Sequence, residues 1–249
     1  MSYFGTTEIG KMFLGNTEIG KAYLGNDLVF DASGGSVTPA LPYDAEIEYI
    51  QTSGTQYIDT GIVQNTRNFE LTLVLQWTGS TANDFETFFG YFWQKIDSLY
   101  PRFQVFKYNG KWTFGTNSTN ITSVSVDGNK HTFFVTGNAS TNQESLYIDG
   151  SLKLTGTTSS TGLGADSPTH WIGGQHSLVN GVESHNRPAS AKFYSLNYKK
   201  FTDAAHTTLM QEWDFIPVRV GQIGYMYDRI SGQLFGNSGS GSFTLGNDK

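Results

Sequence analysis

The chain has 249 residues, no cysteine and a formal net charge of -6, with 16 Lys and Arg dispersed among 22 Asp and Glu. This excludes a disulfide framework, a Cys-ligated metal and a thiol nucleophile, and it argues against nucleic acid or an anionic membrane as the main partner. No apolar run approaches the ~18 residues of a membrane-spanning helix, and the first residues lack the basic and apolar regions of a secretory leader.

The first thirty residues write one ten-residue phrase three times, the third time altered. Tyr3, Phe13 and Tyr23 align, as do Gly5, Gly15 and Gly25, Glu8 and Glu18, Ile9 and Ile19, and Lys11 and Lys21. Each unit reads as a short strand, a turn supplied by Gly with Asn or Thr, and a second short strand. Ten residues cannot bury a core, and below ~40 residues an independent fold usually needs a metal, disulfides or oligomerisation. Residues 1–30 are therefore expected to be an attachment or oligomerisation segment, with Tyr3, Ile9, Phe13, Ile19 and Tyr23 as its anchoring side chains. A trimer is the preferred assembly, because copies wrapped about one axis share a core and leave no open strand edge. Residues 31–42, DASGGSVTPALP, have the Gly, Ser and Pro content of a linker.

From residue 43 onward the pattern is β. In NFELTLVLQW, Phe69, Leu71, Leu73, Leu75 and Trp77 fall on one face and Glu70, Thr72 and Gln76 on the other, the period of a half-buried strand. The stretch GYFWQKIDSLYPR, residues 90–102, breaks the alternation and reads as a loop. Hairpin signals recur at Asn109-Gly110, Asp127-Gly128 and Asp149-Gly150. Trp77, Trp171 and Trp213 sit in strand-like runs and are expected in the core, while Trp112 lies beside a hairpin turn. The best helix candidate is the short DAAHTTLM, residues 203–210, with Asp203 as its cap. Many short strands with this punctuation predict an all-β, antiparallel jelly-roll β-sandwich over residues 43–249.

The segments EYIQTSGTQYIDTGI (48–62), SLYIDGSLKLTG (145–156), HWIGG (170–174) and the closing stretch from DFIPVRV to SFTLG (214–246) resemble the laminin-G-like, concanavalin-A-like jelly rolls of phage virion proteins and bacterial surface proteins. FLGNTEIGKAYLGN likewise resembles the N-terminal repeats of structural proteins of tailed phages. The resemblance implies two antiparallel sheets, one of them concave, in a family that includes carbohydrate binders, adhesion modules and some glycoside hydrolases. It implies a phage virion structural protein (head fibre, capsid decoration or tail-fibre component) at the virion surface. A capsid or tail protein would receive the repeats, and the lectin-like body would adhere to host or mucosal glycans. A bacterial surface carbohydrate-binding module is one alternative, and a jelly-roll glycoside hydrolase is another.

Chemistry-bearing residues are sparse. A glycosidase needs two carboxylates flanking a sugar, and alternate residues of a strand share a face; Asp84 with Glu86 and Glu212 with Asp214 have that spacing. Each pair reads more simply as a soluble edge or a solvent-facing acid, so no catalytic residue is assigned and the chain is not expected to be an enzyme. His131, His170, His176, His185 and His206 show no metal-ligand spacing and read as scattered, solvated side chains. His176 and His185 share the polar loop QHSLVNGVESHNRP with Glu183 and Asn186, where they could hold a ligand. No cofactor is implied. Calcium, which takes six to eight oxygens, would be served by loops such as GTNSTNIT (115–122), and no site is assigned to it. A sugar ring needs an aromatic platform beside polar groups, and Trp93 and Tyr100 are the candidates. The N-glycosylation triplets at Asn117, Asn120 and Asn138 mark polar loops.

Overall fold

The computed structural model describes residues 2–4, 7–9, 12–14, 17–24, 27–31, 41–80, 85–94, 101–116, 119–157 and 167–249. The chain divides into two compact units, Met1–Pro42 and Tyr43–Lys249. In the first, each copy of the repeated phrase closes as its own antiparallel hairpin. β1 (Ser2–Phe4) pairs with β2 (Thr7–Ile9), β3 (Met12–Leu14) with β4 (Thr17–Ile19), and β5 (Lys21–Leu24) with β6 (Asp27–Asp31). Ile19 is half-buried. The side chains of Tyr3, Ile9, Phe13 and Tyr23, and most of the expected linker, lie outside the described residues.

The second unit is all-β. Its strands are β7 (Ala45–Glu46), β8 (Ile50–Gln51), β9 (Ile58–Val63), β10 (Phe69–Trp77), β11 (Phe85–Gln94), β12 (Arg102–Tyr108), β13 (Lys111–Thr116), β14 (Thr119–Ser125), β15 (Lys130–Asn138), β16 (Gln143–Ile148) and β17 (Ser151–Thr157). They continue with β18 (Thr169–Ile172), β19 (Gln175–Val179), β20 (Val182–Asn186), β21 (Ala191–Phe201), β22 (Leu209–Val220), β23 (Ile223–Asp228), β24 (Gln233–Phe235) and β25 (Thr244–Leu245). Two sheets form a sandwich. The larger runs β17-β16-β15-β10-β21-β22-β23-β24, with β7, β8 and β25 at its side; the smaller runs β14-β13-β12-β11-β18-β9, extended by β19 and β20. Pairing is antiparallel throughout except where β19 runs parallel to β11.

β10 shows why the sheets pack. Its five apolar alternate residues are all buried and the residues between them are half-exposed, and each fully buried Leu or Phe side chain contributes ~1.5–3 kcal/mol. Against Phe69 stand Phe103 at 5.1 Å and Tyr198 at 6.0 Å between ring centroids, and Phe89 stacks on His170 at 4.8 Å. His170 is fully buried and its Nδ1–H donates to the Ile62 carbonyl at 2.9 Å. Burial pushes this imidazole down to about 3, with Lys200 and His176 adding to the effect against the hydrogen bond to Ile62.

Turn chemistry works as expected at Asn109-Gly110 and Asp149-Gly150, where both residues have positive φ and join β12 to β13 and β16 to β17. Several expectations are corrected. Asp127-Gly128 makes no hairpin: β14 belongs to the smaller sheet and β15 to the larger, so the segment crosses between them. Residues 90–94 are not loop but the second half of β11, which stays extended because β12 and β19 flank it. Residues 203–208 form a turn rather than a helix, because the Asp203 carboxylate gathers the N–H groups of Ala205, Thr207 and Thr208 at 3.0, 3.1 and 2.7 Å and closes the connection from β21 to β22. Trp112 is buried in the core beside Phe133.

Candidate functional site

The sequence-predicted ligand residues fall in different settings. Trp93 lies in β11 opposite Leu178 and packs against the core; Tyr100 is outside the described residues. The polar loop containing His176 and His185 is a hairpin, β19 to β20, closed by Asn180-Gly181 with φ of 52° and 76°. That makes the two histidines cross-strand partners. The histidines are not uniformly solvated either: His170 and His176 are buried, each taken inside by aromatic packing.

His176 stacks on Trp171 at 4.1 Å and 10°, Tyr57 stacks on Trp171 at 4.0 Å and 17°, and His185 leans on Tyr57 at 4.5 Å. Gly174 makes room for this, since a Cβ there would fall 1.9 Å from the His185 Nε2. The surroundings are acidic. Tyr57 is shifted up by burial and then by the carboxylates of Asp59 and Glu183, while burial pushes His185 down. His176 Nε2 stands 3.6 Å from Glu183. These rings spend their faces on one another, so the cluster offers no open platform of the kind a sugar ring needs.

The acid pairs are also committed. Glu86 is 1% exposed, not a soluble edge, because Trp77 Nε1, Lys107 Nζ and the Ser190 N–H all donate to its carboxylate; Asp84 lies outside the described residues. Glu212 accepts from Asn197 at 2.9 Å and pairs with Lys199, and Asp214 accepts from Arg229 at 2.9 Å. Among the described residues no three His, Asp or Glu side chains are arranged to hold a metal ion. The Gly115–Thr122 stretch is only partly described.

An open cleft lies on the outer face of the larger sheet, lined by Glu48, Tyr49, Lys130, Lys192, Tyr194 and Lys249, with a volume of about 570 Å³. Its construction follows from strand register. Gln76 on β10 lies opposite Lys130 of β15 on one side and Lys192 of β21 on the other, so all three point away from the core. Between Val74 and Leu75 the β10–β21 register slips: Val74 pairs with Ser195 and Leu75 with Phe193, leaving Tyr194 as the extra residue of a β-bulge. Bulges re-aim side chains, and this one sets Tyr194 beside Lys192 on the outer face while Phe193 stays buried.

The Tyr194 hydroxyl donates to Gln76 Oε1 at 2.9 Å, and the Gln76 amide donates to the Gly128 carbonyl at 2.7 Å, which fixes both side chains. Tyr49 meets Tyr194 edge to face at 5.6 Å. Each ring carries an ammonium group: Lys192 Nζ is 4.3 Å from the Tyr49 centroid and Lys130 Nζ is 4.8 Å from that of Tyr194. Burial raises the Tyr194 phenol, opposed by Lys192 and reinforced by Tyr49 and Glu48. None of these residues was singled out in the sequence. The A-K-F-Y alternation of residues 191–194 carried the one available signal, an outward Lys and Tyr flanking an inward Phe.

No protein-family model and no curated protein matches the chain. Solved structures do. A Bacteroides ovatus protein proposed to bind carbohydrate superposes with a TM-score of 0.50 at 11% identity, over 82% of this chain and 61% of its own. The lectin-like jelly-roll fold is shared. The CBM40 of the Ruminococcus gnavus IT-sialidase is similar at a TM-score of 0.49 and 13% identity, over 61% of this chain and 89% of its own. A heptameric SAP-like pentraxin from Limulus polyphemus is similar at 0.49 and 13%, over 83% and 96%. At such identities the likeness concerns the fold and not the site.

Proposed function

We propose that residues 43–249 form a carbohydrate-binding module that holds a glycan without cleaving it, in the cleft of Tyr49 and Tyr194. The observation that carries this reading is the pair of tyrosine rings, 5.6 Å apart, in an open cleft of about 570 Å³. That volume falls within the roughly 300–1,000 Å³ of small-ligand sites, and tyrosine rings beside ammonium donors match a sugar's apolar face and hydroxyl rim. The lectin-like fold supports it. Binding rather than hydrolysis is supported by Glu86, sealed from solvent, and by the ion pairs of Glu212 and Asp214. The test is a glycan array with the full chain and with Tyr49→Ala/Tyr194→Ala. The expected result is binding that the double variant loses at least about tenfold, with the oligosaccharide recovered intact. Absence of any binding, or binding unchanged in a folded double variant, rejects the reading.

A second reading concerns the N-terminal unit, and what favours it is that each copy of the repeated phrase closes as a hairpin of its own. Such a unit is one supersecondary element with too little core to stand alone. Residues 1–30 then anchor the module to a capsid or tail protein of a virion, as part of a trimer. Antibody labelling of purified particles tests the location. A monomeric mass both with and without residues 1–30 would sink the trimer.

A further inference from the structure

We infer that the cleft selects an acidic glycan, one bearing carboxylate or sulfate groups, over its neutral counterpart; this rests on the glycan-binding reading and adds the ligand class. The lining sets the ammonium groups of Lys130 and Lys192 against one carboxylate side chain, Glu48, with Lys249 at the margin, in a chain whose net charge is -6. Dispersed lysines on an outer sheet face ordinarily find acids or stand apart in solvent. Here Lys130, Lys192 and Lys249 make no ion pair with any described residue, although the chain has more acids than bases. The single carboxylate side chain of the lining, Glu48, is turned to Asn247, whose N–H and Nδ2 lie 3.4 and 3.3 Å from its Oε2.

Two of the ammonium groups are held in place rather than splayed, each over a tyrosine ring. A cation over an aromatic face keeps its remaining N–H donors for another partner. An acidic sugar meets both features at once, its ring against tyrosine and its anionic group against lysine. A neutral sugar would leave the lysines without counter-charge. Attraction between exposed charges is screened beyond ~8 Å at physiological salt, so this selectivity must fall as salt rises.

The test measures binding of an oligogalacturonate and of its methyl-esterified form, and of a keratan sulfate oligosaccharide, which has no uronate, and of its desulfated form. Full-length wild type is compared with Lys192→Gln, Lys130→Gln and Tyr49→Ala, with thermal melts confirming that each variant is folded. In at least one pair the acidic probe should bind about tenfold more tightly at low ionic strength, and the gap should narrow on adding salt. The galacturonate pair reports carboxylate recognition and the keratan pair reports sulfate. Lys192→Gln should remove most of the gap by lowering the acidic probe's affinity more than the neutral probe's. Equal binding of acidic and neutral probes, weakened by Tyr49→Ala, overturns the acidic preference and leaves the glycan reading standing. An acidic preference untouched by all three variants overturns the assignment to this cleft. Binding of none of the four probes, with array binding intact, also overturns the acidic class; absence of binding everywhere rejects both.

Discussion

Glu86 and Lys107 oppose each other across β11 and β12 as an ion pair of 3.2 Å, each side chain 1% exposed, and the same carboxylate accepts the Trp77 indole N–H at 3.1 Å. Trp77 belongs to the larger sheet, so this pair ties the two layers together by hydrogen bonds, as Thr116 of the smaller sheet and Glu144 of the larger do elsewhere in the interface. A buried pair is weak evidence of net stabilisation, but stripping one partner leaves the other buried without its counter-ion. Lys107→Met should therefore cost about 3–5 kcal/mol in denaturant unfolding, and Glu86→Gln/Lys107→Met should recover more than half of the loss.

Gly90 has a φ of 144°, and a Cβ there would lie 1.9 Å from the Phe103 carbonyl oxygen on the paired strand. That neighbour is backbone in a sheet centre and cannot step aside. Gly90→Ala is expected to destabilise by about 3 kcal/mol or more, read as a lower urea midpoint. Gly110→Ala, at a hairpin tip with open space around it, should cost less than Gly90→Ala.

His170 stays neutral in the folded chain down to about pH 3, chiefly through burial, whereas the unfolded chain protonates it below its ordinary 6.5. The unfolded state thus binds the extra proton, and stability falls as pH drops below 6.5, by about 1.4 kcal/mol per unit at most. His170→Phe should flatten the stability profile between about pH 6 and pH 4. A profile as steep as that of wild type would refute the assignment.

His131 behaves oppositely. Burial lowers it, but the hydrogen bonds it donates to Asp149 at 2.6 Å and Asp127 at 2.7 Å outweigh burial together and raise it. Its contribution is present below 6.5 and is lost as pH rises through the higher folded value. The melting-temperature advantage of wild type over His131→Asn should shrink on going from pH 6 to pH 9.

Among the described residues the apolar core lies after residue 42, so the fragment 43–249 should fold alone with a far-UV spectrum of β-sheet and the urea midpoint of the full chain. A shifted midpoint would show that residues 1–42 stabilise the body.

Much of the fold is legible because strand alternation and turn residues are local signals. The face assignment of β10 and the Asn-Gly and Asp-Gly hairpins follow from side-chain period and positive φ alone. Asn180-Gly181 carried the same signal, but its flanks are polar because β20 is a largely exposed strand, so the hairpin read as loop. Burial of His170 and Glu86 depends on which strands face them across the sandwich, and a lone polar residue in a β run does not state its side. The cleft was least legible of all. Residues 49, 130, 194 and 249 meet only through register, and the bulge that turns Tyr194 outward is a property of pairing between β10 and β21, not of either segment.

β21 carries two instructions on alternate residues: Ala191, Phe193 and Leu196 are wholly buried, while Lys192 and Tyr194 face the cleft. Changes at the second set leave the first untouched, so a lineage or an engineer can retune what this surface prefers without renegotiating the interior. A one-residue deletion within the strand has no such freedom. It would move the outward letters inward and erase fold and preference together.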